Sequence, residues 1–446
     1  MFTPADFSHN NATYIPDPFP FYAQMRERSP VFFSEGIFGG TWLFFRYADC
    51  VRLLADERLS NSRAAVPLRF LPAHQRAECA DMVDLFERWL AFHDGDQHSR
   101  SRRLANRSYV PFSAEVLEPR IQARVDQLLD AVDPREFDLM STFAFPLPAM
   151  VIADVLGVPV EAHQDLTRWT DDIAHLFGST KVSAGHVYRT RDSVRELAKF
   201  LASPSSRASA ERQGGLLALL STAEVHGRRF SEEDVVAQAA LLLFAGVASI
   251  RYLIGNSVFQ LSRLPDQDRL LLLDRDTVDQ AVEELLRYCT PVQFVGRVVA
   301  EDFAYTADNG QRVQLRSGQP LILYVASANR DPGQFTSAGD LMMTRPAPNA
   351  HLTFGAGRHL CFGDPLVRQT FRIALSTLYR RMPNLAAHEQ SIDWNNNLGF
   401  HGFTALRVTN PPSGAGFVTE DGHPAGGDSG KRVTPAEGDD SGGRTT

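Results

Sequence analysis

Apolar and polar positions alternate with the period of α-helices over most of the first 260 residues. A helix is predicted near Phe21–Arg28. Two short β-rich segments, Val31–Ser34 and Thr41–Phe45, follow it on either side of a glycine-containing turn, which predicts a hairpin. Beyond them, the apolar residues of Ile121–Val132 fall on one face of a helix. We therefore expect mostly helices from the first hairpin to Gln260.

Three further segments predict a helix end, a loop and the centre of the protein. The predicted helix Ala149–Leu156 stops at Gly157, and a proline follows shortly after it. Ser203–Gly215 is small and polar with a proline near its start, so it is interpreted as a connecting loop. Val235–Phe244 is apolar at nearly every position, and a helix that is apolar on all sides belongs in the interior.

Strand patterns replace helical ones in the C-terminal part of the chain. Phe303–Thr306 and Arg312–Leu315 flank an Asp-Asn-Gly turn, which is a strong hairpin signal. Leu321–Val325 is another predicted strand, and a last hairpin is expected around Gly402. Helices followed by strands predict a mainly helical α+β fold.

The order of these segments predicts a single domain with two unstructured ends. Residues 16–410 are expected to form the domain, preceded by a flexible N-terminus at 1–15. From Pro411 onward, apolar side chains almost vanish among Gly, Ser, Asp, Pro and Thr. Such a segment cannot bury enough surface to order itself, so 411–446 is expected to be a disordered tail.

Charge and cysteine content exclude several classes of protein. The net charge of −8 and the pI of about 5.9 argue against a nucleic-acid-binding protein. The spacing of the cysteines suits neither a disulfide framework nor a zinc site and fits a reducing compartment. Because no signal peptide is visible and no window approaches the ~20 apolar residues of a membrane span, we expect a soluble cytoplasmic protein without a membrane partner. The cysteines are Cys50, Cys79, Cys289 and Cys361.

Cys361 lies in Phe354–Gly363, directly ahead of a predicted helix that begins at Asp364. Glycines let this backbone turn tightly and approach a flat, bulky group. The amides of a helix N-terminus favour a thiolate, and a thiolate is the axial ligand expected of a haem iron that activates oxygen. The structural alternative is a glycine-rich turn around a small buried cysteine. The spaced glycines together with His359 make that interpretation the weaker one.

The pattern F-G-x-G-x-H-x-C-x-G in this segment resembles the haem-binding loop of the cytochrome P450 family, and every fixed position matches. The resemblance covers roughly residues 17–408. It implies the cytochrome P450 fold and haem b as the cofactor, with Cys361 as the ligand of the iron. It also implies that Phe354, His359 and Gly363 are among the haem-binding residues.

Glu284 and Arg287 carry a second part of the resemblance. They are three residues apart on a predicted helix and can pair, as in the E-x-x-R helix of the family. The family adds a further arginine, for which Arg345 is the matching candidate. A pair of this kind taken alone is usually a surface feature of small energy. The resemblance instead implies a structural lock.

Basic residues at matching positions are candidates for binding the two haem propionates, because such anions need cationic or hydrogen-bonding partners. His98 and Arg102 are one helical turn apart in a segment that resembles the family's H-x-x-x-R. Arg297 and His359 match the remaining partners. Any one of them alone could be a solvated side chain, whereas the four together imply a propionate site.

The oxygen-binding helix of the family is matched with one departure. Gly246 corresponds to the glycine that makes room for dioxygen. Where the family pattern A-G-x-(D/E)-T has its acid and its alcohol, this chain has Ala248 and Ser249. Alanine cannot carry a proton, whereas serine keeps a hydroxyl. These three residues are the catalytic candidates. Either water or a substrate group completes proton delivery, or the reaction is not a simple hydroxylation.

Substrate contacts are expected, by analogy with the family, from several mostly apolar segments. For any single residue in them, core packing is the better explanation. The segments are the one after Ser60 through Trp89 and Phe92, then Trp169–Phe177, Leu242–Ser249, Gln293–Val295 and Phe400–Phe403.

The resemblance implies a monomeric haem-thiolate monooxygenase that uses dioxygen on a small organic substrate, in specialised metabolism. Because no flavin or iron–sulfur module is fused to the chain, electrons are expected from a separate ferredoxin and its reductase. Two alternatives stay open. The enzyme could couple or cyclise its substrate without net hydroxylation, or the chain could be a catalytically silent family member that acts as a binding or helper subunit.

A basic surface is the predicted docking site for an acidic ferredoxin. Arg103 and Arg107 are four residues apart on one predicted helix and can be presented together. Arg358 belongs to the cysteine loop, and Arg368 to the helix that follows it. The alternative is that these arginines serve solubility or bind haem.

Overall fold

Helices make up most of the structure, a computed structural model in which residues 15–37, 40–69, 71–179, 183–346 and 350–411 are described. The predicted mainly helical α+β fold is confirmed. The two predicted unstructured ends lie outside the described residues, apart from Ile15 and Pro411. The helices are α1 (Phe19–Arg28), α2 (Tyr47–Ala55), α3 (Ala73–Ala77), α4 (Ala80–Glu87), α5 (Gly95–Tyr109), α6 (Ala114–Asp130), α7 (Pro146–Leu156), α8 (His163–Gly178), α9 (Ala184–Ala202), α10 (Pro204–Gln213), α11 (Leu216–Thr222), α12 (Glu232–Leu261), α13 (Asp266–Leu270), α14 (Val278–Tyr288), α15 (Val325–Ala328) and α16 (Asp364–Arg381).

The strands form three sheets beside the helices. A five-stranded sheet has the order β1-β2-β8-β5-β3, a second has β4-β10-β9, and β6 pairs with β7. The three predicted hairpins are confirmed as antiparallel pairs, β1 with β2, β6 with β7 and β9 with β10. The predicted strand Leu321–Val325 ends at Leu323, because Val325 begins α15. The strands are β1 (Val31–Ser34), β2 (Thr41–Phe44), β3 (Leu59–Ser60), β4 (Glu136–Asp138), β5 (Val295–Val299), β6 (Phe303–Thr306), β7 (Arg312–Leu315), β8 (Pro320–Leu323), β9 (Ala386–Trp394) and β10 (Phe403–Thr409).

Helix α12 runs through the interior and packs against α7, α8, α9 and α16. It begins with a capping box, in which the Ser231 hydroxyl accepts from the Asp234 amide at 3.1 Å and the Asp234 carboxylate accepts from the Ser231 amide at 3.3 Å. By length and composition alone α12 could cross a membrane, and 72% of its most apolar window is buried. The expectation that no window approaches a membrane span is therefore wrong. Burial against neighbouring helices explains the apolar composition.

The segment Ser203–Gly215 is helical, and its prediction as a loop is wrong. Residues 204–213 form α10, whose first position is a proline. The Ser203 hydroxyl caps the helix by accepting from the Ser206 amide at 3.2 Å, and Gly214 ends it with φ of +61°. The small polar residues resemble a loop in composition, but the serine and proline at the start and the glycine at the end are helix signals.

Glu284 on α14 forms a buried ion-pair cluster with two arginines, which we call the Glu284 lock (Glu284, Arg287, Arg345). Arg287 donates to both carboxylate oxygens at 2.7 Å, and Arg345 Nε donates to one of them at 2.9 Å. The side chains of Glu284 and Arg287 are fully buried and that of Arg345 is 4% exposed. The Met342 amide adds a fourth donor at 2.8 Å. The pairing has the partners that the resemblance implied.

Replacing Glu284 by glutamine is expected to destabilise the fold, because two buried guanidiniums lose their counter-charge. We expect a loss of about 3 kcal/mol or more in the free energy of unfolding, measured by urea denaturation of the haem-loaded protein. The control is Glu136→Gln, which breaks the exposed Arg407–Glu136 pair and should cost less than about 1 kcal/mol. Equal losses in the two variants would contradict a structural role for the lock.

Candidate active site

Cys361 lies just before α16, at the end of a loop that turns through two left-handed glycines. Gly355 and Gly357 each have φ of +73°, a conformation that favours glycine. At Gly357 a Cβ would lie 3.1 Å from the Ala55 Cα, so a side chain there would push the loop away from α2. The Cys361 amide donates to the Phe354 carbonyl at 2.9 Å and closes the loop.

Hydrogen bonds through Asn329 connect the cysteine loop to the Glu284 lock. Arg287 donates to the Asn329 carbonyl at 2.7 Å. The Asn329 side chain donates to the Thr353 hydroxyl at 3.0 Å and accepts from the Leu352 amide at 2.6 Å. The Thr353 hydroxyl in turn donates to a carbonyl oxygen of α14 at 2.8 Å. The beginning of the cysteine loop is therefore fixed to the helix that carries the lock.

The Cys361 thiol is largely enclosed, and this burial raises its pKa. The backbone amides of Gly363 and Asp364 donate to the sulfur and oppose the rise, as expected at a helix N-terminus. The sequence predicted that the helix N-terminus would lower the pKa of the Cys361 thiol, but it did not predict that burial would outweigh this effect. A coordinating thiol is deprotonated outright by its metal, so an iron ligand at this position does not need a low pKa of its own.

A cavity of about 340 Å³, which we call the thiol cavity, adjoins Cys361. Its walls come from α5, α7, α12, the segment 291–297 and the cysteine loop. Among the described residues that line it, none is Asp or Glu. Two predicted site residues do not line it: Ala248 is fully buried in the packing of α12, and His98 lies behind His359. The predicted site residues that do line it are Arg102, Gly246, Ser249, Arg297, Phe354, His359, Cys361 and Gly363.

The four predicted propionate partners meet on one side of the thiol cavity. The rings of His98 and His359 are 4.0 Å apart between centroids, and His98 Nε2 is buried without a hydrogen-bond partner among the described residues. Burial lowers the pKa of Arg297 to about 10 and that of His359 to about 3, so the arginine stays charged and the histidine is neutral. Arg102 donates to the Leu360 carbonyl at 2.9 Å. Cations without acids and an unused buried nitrogen fit a group with two carboxylates such as haem.

Arg63 also lines the thiol cavity, and the sequence did not single it out. Its Nε donates to the Gly296 carbonyl at 3.0 Å, and its guanidinium lies 4.7 Å from the centre of the Phe92 ring. Nothing local distinguishes this arginine from a surface one. Its position depends on β5 and on residues 90–92, which are distant from it in sequence.

Ser249 and Gly246 are the two catalytic candidates that line the thiol cavity, and each has a defined neighbour. The Ser249 hydroxyl donates to the Ala245 carbonyl at 2.8 Å, which leaves its oxygen lone pairs free to accept a hydrogen bond. At Gly246 a Cβ would lie 2.7 Å from Ile152 Cδ1. The glycine therefore lets α7 approach α12 beside the cavity, a packing role in addition to the predicted room for dioxygen.

Aromatic side chains surround a second cavity of about 260 Å³, which we call the aromatic cavity. It is lined by Trp89, Phe92, Phe177, Phe244 and Phe400, and it shares wall residues with the thiol cavity. Several predicted substrate positions are thus brought together. Others lie elsewhere: for example, Trp169 donates to Glu196 and packs on Phe200, Gln293 accepts from the Tyr22 hydroxyl, and Phe403 packs between Phe259 and Trp394.

The four arginines of the predicted docking surface differ in their exposure and in whether a carboxylate offsets their charge. Arg103 and Arg107 are exposed on α5 and form no ion pair with any described residue. Arg358 pairs with the exposed Glu57. Arg368 is half-buried between Glu283 and Asp364, which neutralise it. Arg368 is therefore a poor member of a docking surface.

Comparison with known proteins identifies the family of this chain. Residues 82–400 match the family model for cytochrome P450. The chain is 30% identical over 419 residues to the polyketide biosynthesis cytochrome P450 PksS of Bacillus subtilis (strain 168), covering 92% of this chain and 98% of that protein. It is 34% identical over 380 residues to the vitamin D(3) 25-hydroxylase of Pseudonocardia autotrophica, covering 84% and 89%.

A solved structure shows the same fold. The crystal structure of P450BioI in complex with hexadec-9Z-enoic acid ligated acyl carrier protein superposes with a TM-score of 0.78 at 29% identity, covering 90% of this chain and all of that one. The chain therefore belongs to the cytochrome P450 family. It is a haem-thiolate oxidoreductase of the monooxygenase type, whose iron is held by a cysteine.

Replacing Cys361 by serine is expected to remove the strongly red-shifted Soret band of the ferrous–carbon monoxide complex, because the thiolate is lost. The measurement is the difference spectrum of the reduced, haem-loaded protein with and without carbon monoxide. Cys289→Ser is the control, since Cys289 is buried and lines neither cavity. A band that survives Cys361→Ser and disappears in Cys289→Ser would show the assignment to be wrong.

Proposed function

We propose that this enzyme oxidises a largely apolar small molecule that occupies the aromatic cavity and extends toward Cys361. The carrying observation is that the two cavities share a wall, with the thiol at one end and an aromatic cluster at the other. Within that cluster, Trp89 stacks on Phe244 at 5.5 Å with an interplanar angle of 18°. When bound beside Cys361, haem supplies the activation of dioxygen.

Four residues of this chain are proposed to hold the haem propionates: His98, Arg102, Arg297 and His359. Support comes from their convergence on one side of the thiol cavity and from the lack of acidic residues among its described wall. Phe354 and Gly363 are proposed to lie against the macrocycle, since both line the cavity beside Cys361. The protein is proposed to act in the cytoplasm as a monomer.

Proton delivery is proposed to use Ser249 together with water or a polar group of the substrate. Ser249 carries a hydroxyl toward the thiol cavity, whereas Ala248 faces the packing of the helix and offers no proton. Oxidative coupling or ring closure without net hydroxylation is the second candidate, in which a polar group of the substrate would take the place of the acid that the described wall lacks. A silent helper subunit is less well supported, because Cys361 and the cationic residues are all in place.

A panel of candidate ligands tests the proposed substrate site. Binding near the iron displaces its water and changes the Soret spectrum. The panel should contain apolar polycyclic and long-chain compounds, each free and attached to an acyl carrier protein, since P450BioI was crystallised with such a carrier. The proposal expects spectral changes with apolar members and none with polar compounds of similar size. Preference for the carrier-bound form would identify a protein-borne substrate.

Removing the Ser249 hydroxyl is expected to uncouple oxygen consumption from product formation. In Ser249→Ala, the ratio of hydrogen peroxide to electron pairs consumed should rise severalfold with an oxidisable ligand from the panel, because protons arrive more slowly. Ser257→Ala is a matched control on the same helix, since Ser257 is buried and lines neither cavity. Unchanged coupling in Ser249→Ala would mean that protons arrive elsewhere.

Electrons are proposed to come from an acidic ferredoxin that docks on the exposed α5 surface formed by Arg103 and Arg107. The overall charge of −8 makes a local positive surface the natural place for an acidic partner. Complementary charge accelerates encounter more than it tightens binding. Arg358 lies in the cysteine loop and extends this surface toward the thiol, although its charge is partly offset by an ion pair with Glu57.

Reversing both charges, Arg103→Glu with Arg107→Glu, is expected to slow ferredoxin-driven reduction about tenfold at low salt, with the difference shrinking at high salt. Stopped-flow reduction under carbon monoxide measures the rate, and ligand binding should not change. The control reverses two exposed arginines of β7 and the turn after it, Arg312→Glu with Arg316→Glu, which alters the net charge equally. Equal rates in both variants at every ionic strength would rule out this surface.

A further inference from the structure

Arg63 and Arg297 converge on a single backbone carbonyl between the two cavities. Arg63 Nε donates to the Gly296 oxygen at 3.0 Å, and Arg297 Nη1 donates to the same oxygen at 2.9 Å. Both arginines line both the thiol cavity and the aromatic cavity. Two like charges directed at one oxygen beside enclosed cavities repel each other unless an anion offsets them.

No carboxylate of the described part of the chain pairs with either arginine. Neither appears in an ion pair with a described residue, and neither cavity has an Asp or Glu in its described wall. Asp94 is the carboxylate whose charge acts on both arginines, but it forms no ion pair with either one, and its oxygens accept from the Ser60 hydroxyl and, at 2.9 Å, from the Asn61 amide. The two arginines therefore have no carboxylate in contact with them, and only the more distant charge of Asp94 partly offsets theirs.

The pKa values of both arginines are lowered, as expected for cations without a carboxylate in contact. Burial, together with a smaller contribution from the neighbouring charge of Arg297, lowers the pKa of Arg63 to about 9, although the charge of Asp94 opposes the shift. Burial also lowers the pKa of Arg297 to about 10. Arg63 is held in orientation by the face of the Phe92 ring, 4.7 Å from its guanidinium carbon. A fixed, desolvated guanidinium fork is the geometry that binds carboxylates in a bidentate way.

We propose that Arg63 and Arg297 together form a carboxylate-binding site at the junction of the thiol and aromatic cavities. The carboxylate has two possible sources, a haem propionate or an acid group of the substrate. The inference rests on the proposed function, because it takes haem to occupy the thiol cavity. It adds Arg63 to the residues that the resemblance named, and it adds an anionic group to the description of the ligand if the substrate is the source.

The test compares haem-loaded Arg63→Gln with wild type and with Arg69→Gln, which removes an exposed charge from the same segment. Two quantities are measured: the rate of haem transfer to apomyoglobin, and the dissociation constants of dodecanoic acid and its methyl ester from Soret titrations. Gly296→Ala is a second variant that keeps both charges. Its added Cβ would lie 3.3 Å from Arg63 Cδ and Nε, so the Arg63 side chain must shift by a few tenths of an ångström.

A propionate source predicts about tenfold faster haem loss in Arg63→Gln, with the acid and ester affected alike. A substrate source predicts unchanged haem loss and about tenfold weaker binding of dodecanoic acid, with the ester unchanged. Gly296→Ala should change the same quantity in the same direction, and Arg69→Gln should change neither. If haem loss and the ratio of acid to ester affinity both stay as in wild type in Arg63→Gln and Gly296→Ala, the site is refuted.

The proposed function fails on a different observation. A wild-type protein that lacks the Cys361-dependent carbon monoxide band would refute haem-thiolate chemistry in the thiol cavity. Unchanged behaviour of Arg63→Gln and Gly296→Ala in a protein that shows this band refutes the carboxylate site alone. Partial recovery in Arg63→Lys, which keeps the charge but loses the planar fork, would support carboxylate binding over a packing role for Arg63.

Discussion

The Cys361 sulfur must lie where the thiol cavity meets α16. The Glu284 lock, which lies outside the cavity, holds the cysteine loop in that position. A carboxylate and two guanidiniums are taken out of water together, which is tolerated because each carboxylate oxygen has donors at 2.7–2.9 Å. Arg287 extends the constraint to Asn329, and Asn329 extends it to Thr353 at the start of the cysteine loop. The geometry of the thiol thus depends on charges that never touch a ligand.

Arginines have different roles in two parts of the molecule. In the Glu284 lock they are fully compensated, and the result is rigidity. Beside the thiol cavity, Arg63, Arg102 and Arg297 have backbone carbonyls as partners but no acid in the described wall. We have proposed that an anion binds on that side of the molecule. On this proposal, the same residue type is structural where the chain offsets its charge and ligand-binding where the chain does not.

Sequence patterns predicted the parts that local chemistry determines. The hairpin around the Asp-Asn-Gly turn, the end of α7 at Gly157 and the cysteine loop before α16 all follow from glycines and caps within a few residues. The same logic failed for α10, where polar composition concealed its capping serine. Arg63 and the orientation of Trp169 could not be predicted, because burial of each depends on segments that are distant in the chain.

Asp94 connects the start of α5 to the segment before Arg63 through hydrogen bonds. Its carboxylate accepts from the Ser60 hydroxyl and the Asn61 amide, while its own position is the N-cap of the helix that carries His98 and Arg102. A displacement of the segment before Arg63 would therefore strain the hydrogen bonds that join it to the N-terminus of α5. The arginine that borders both cavities is in this way connected to the helix that carries His98 and Arg102.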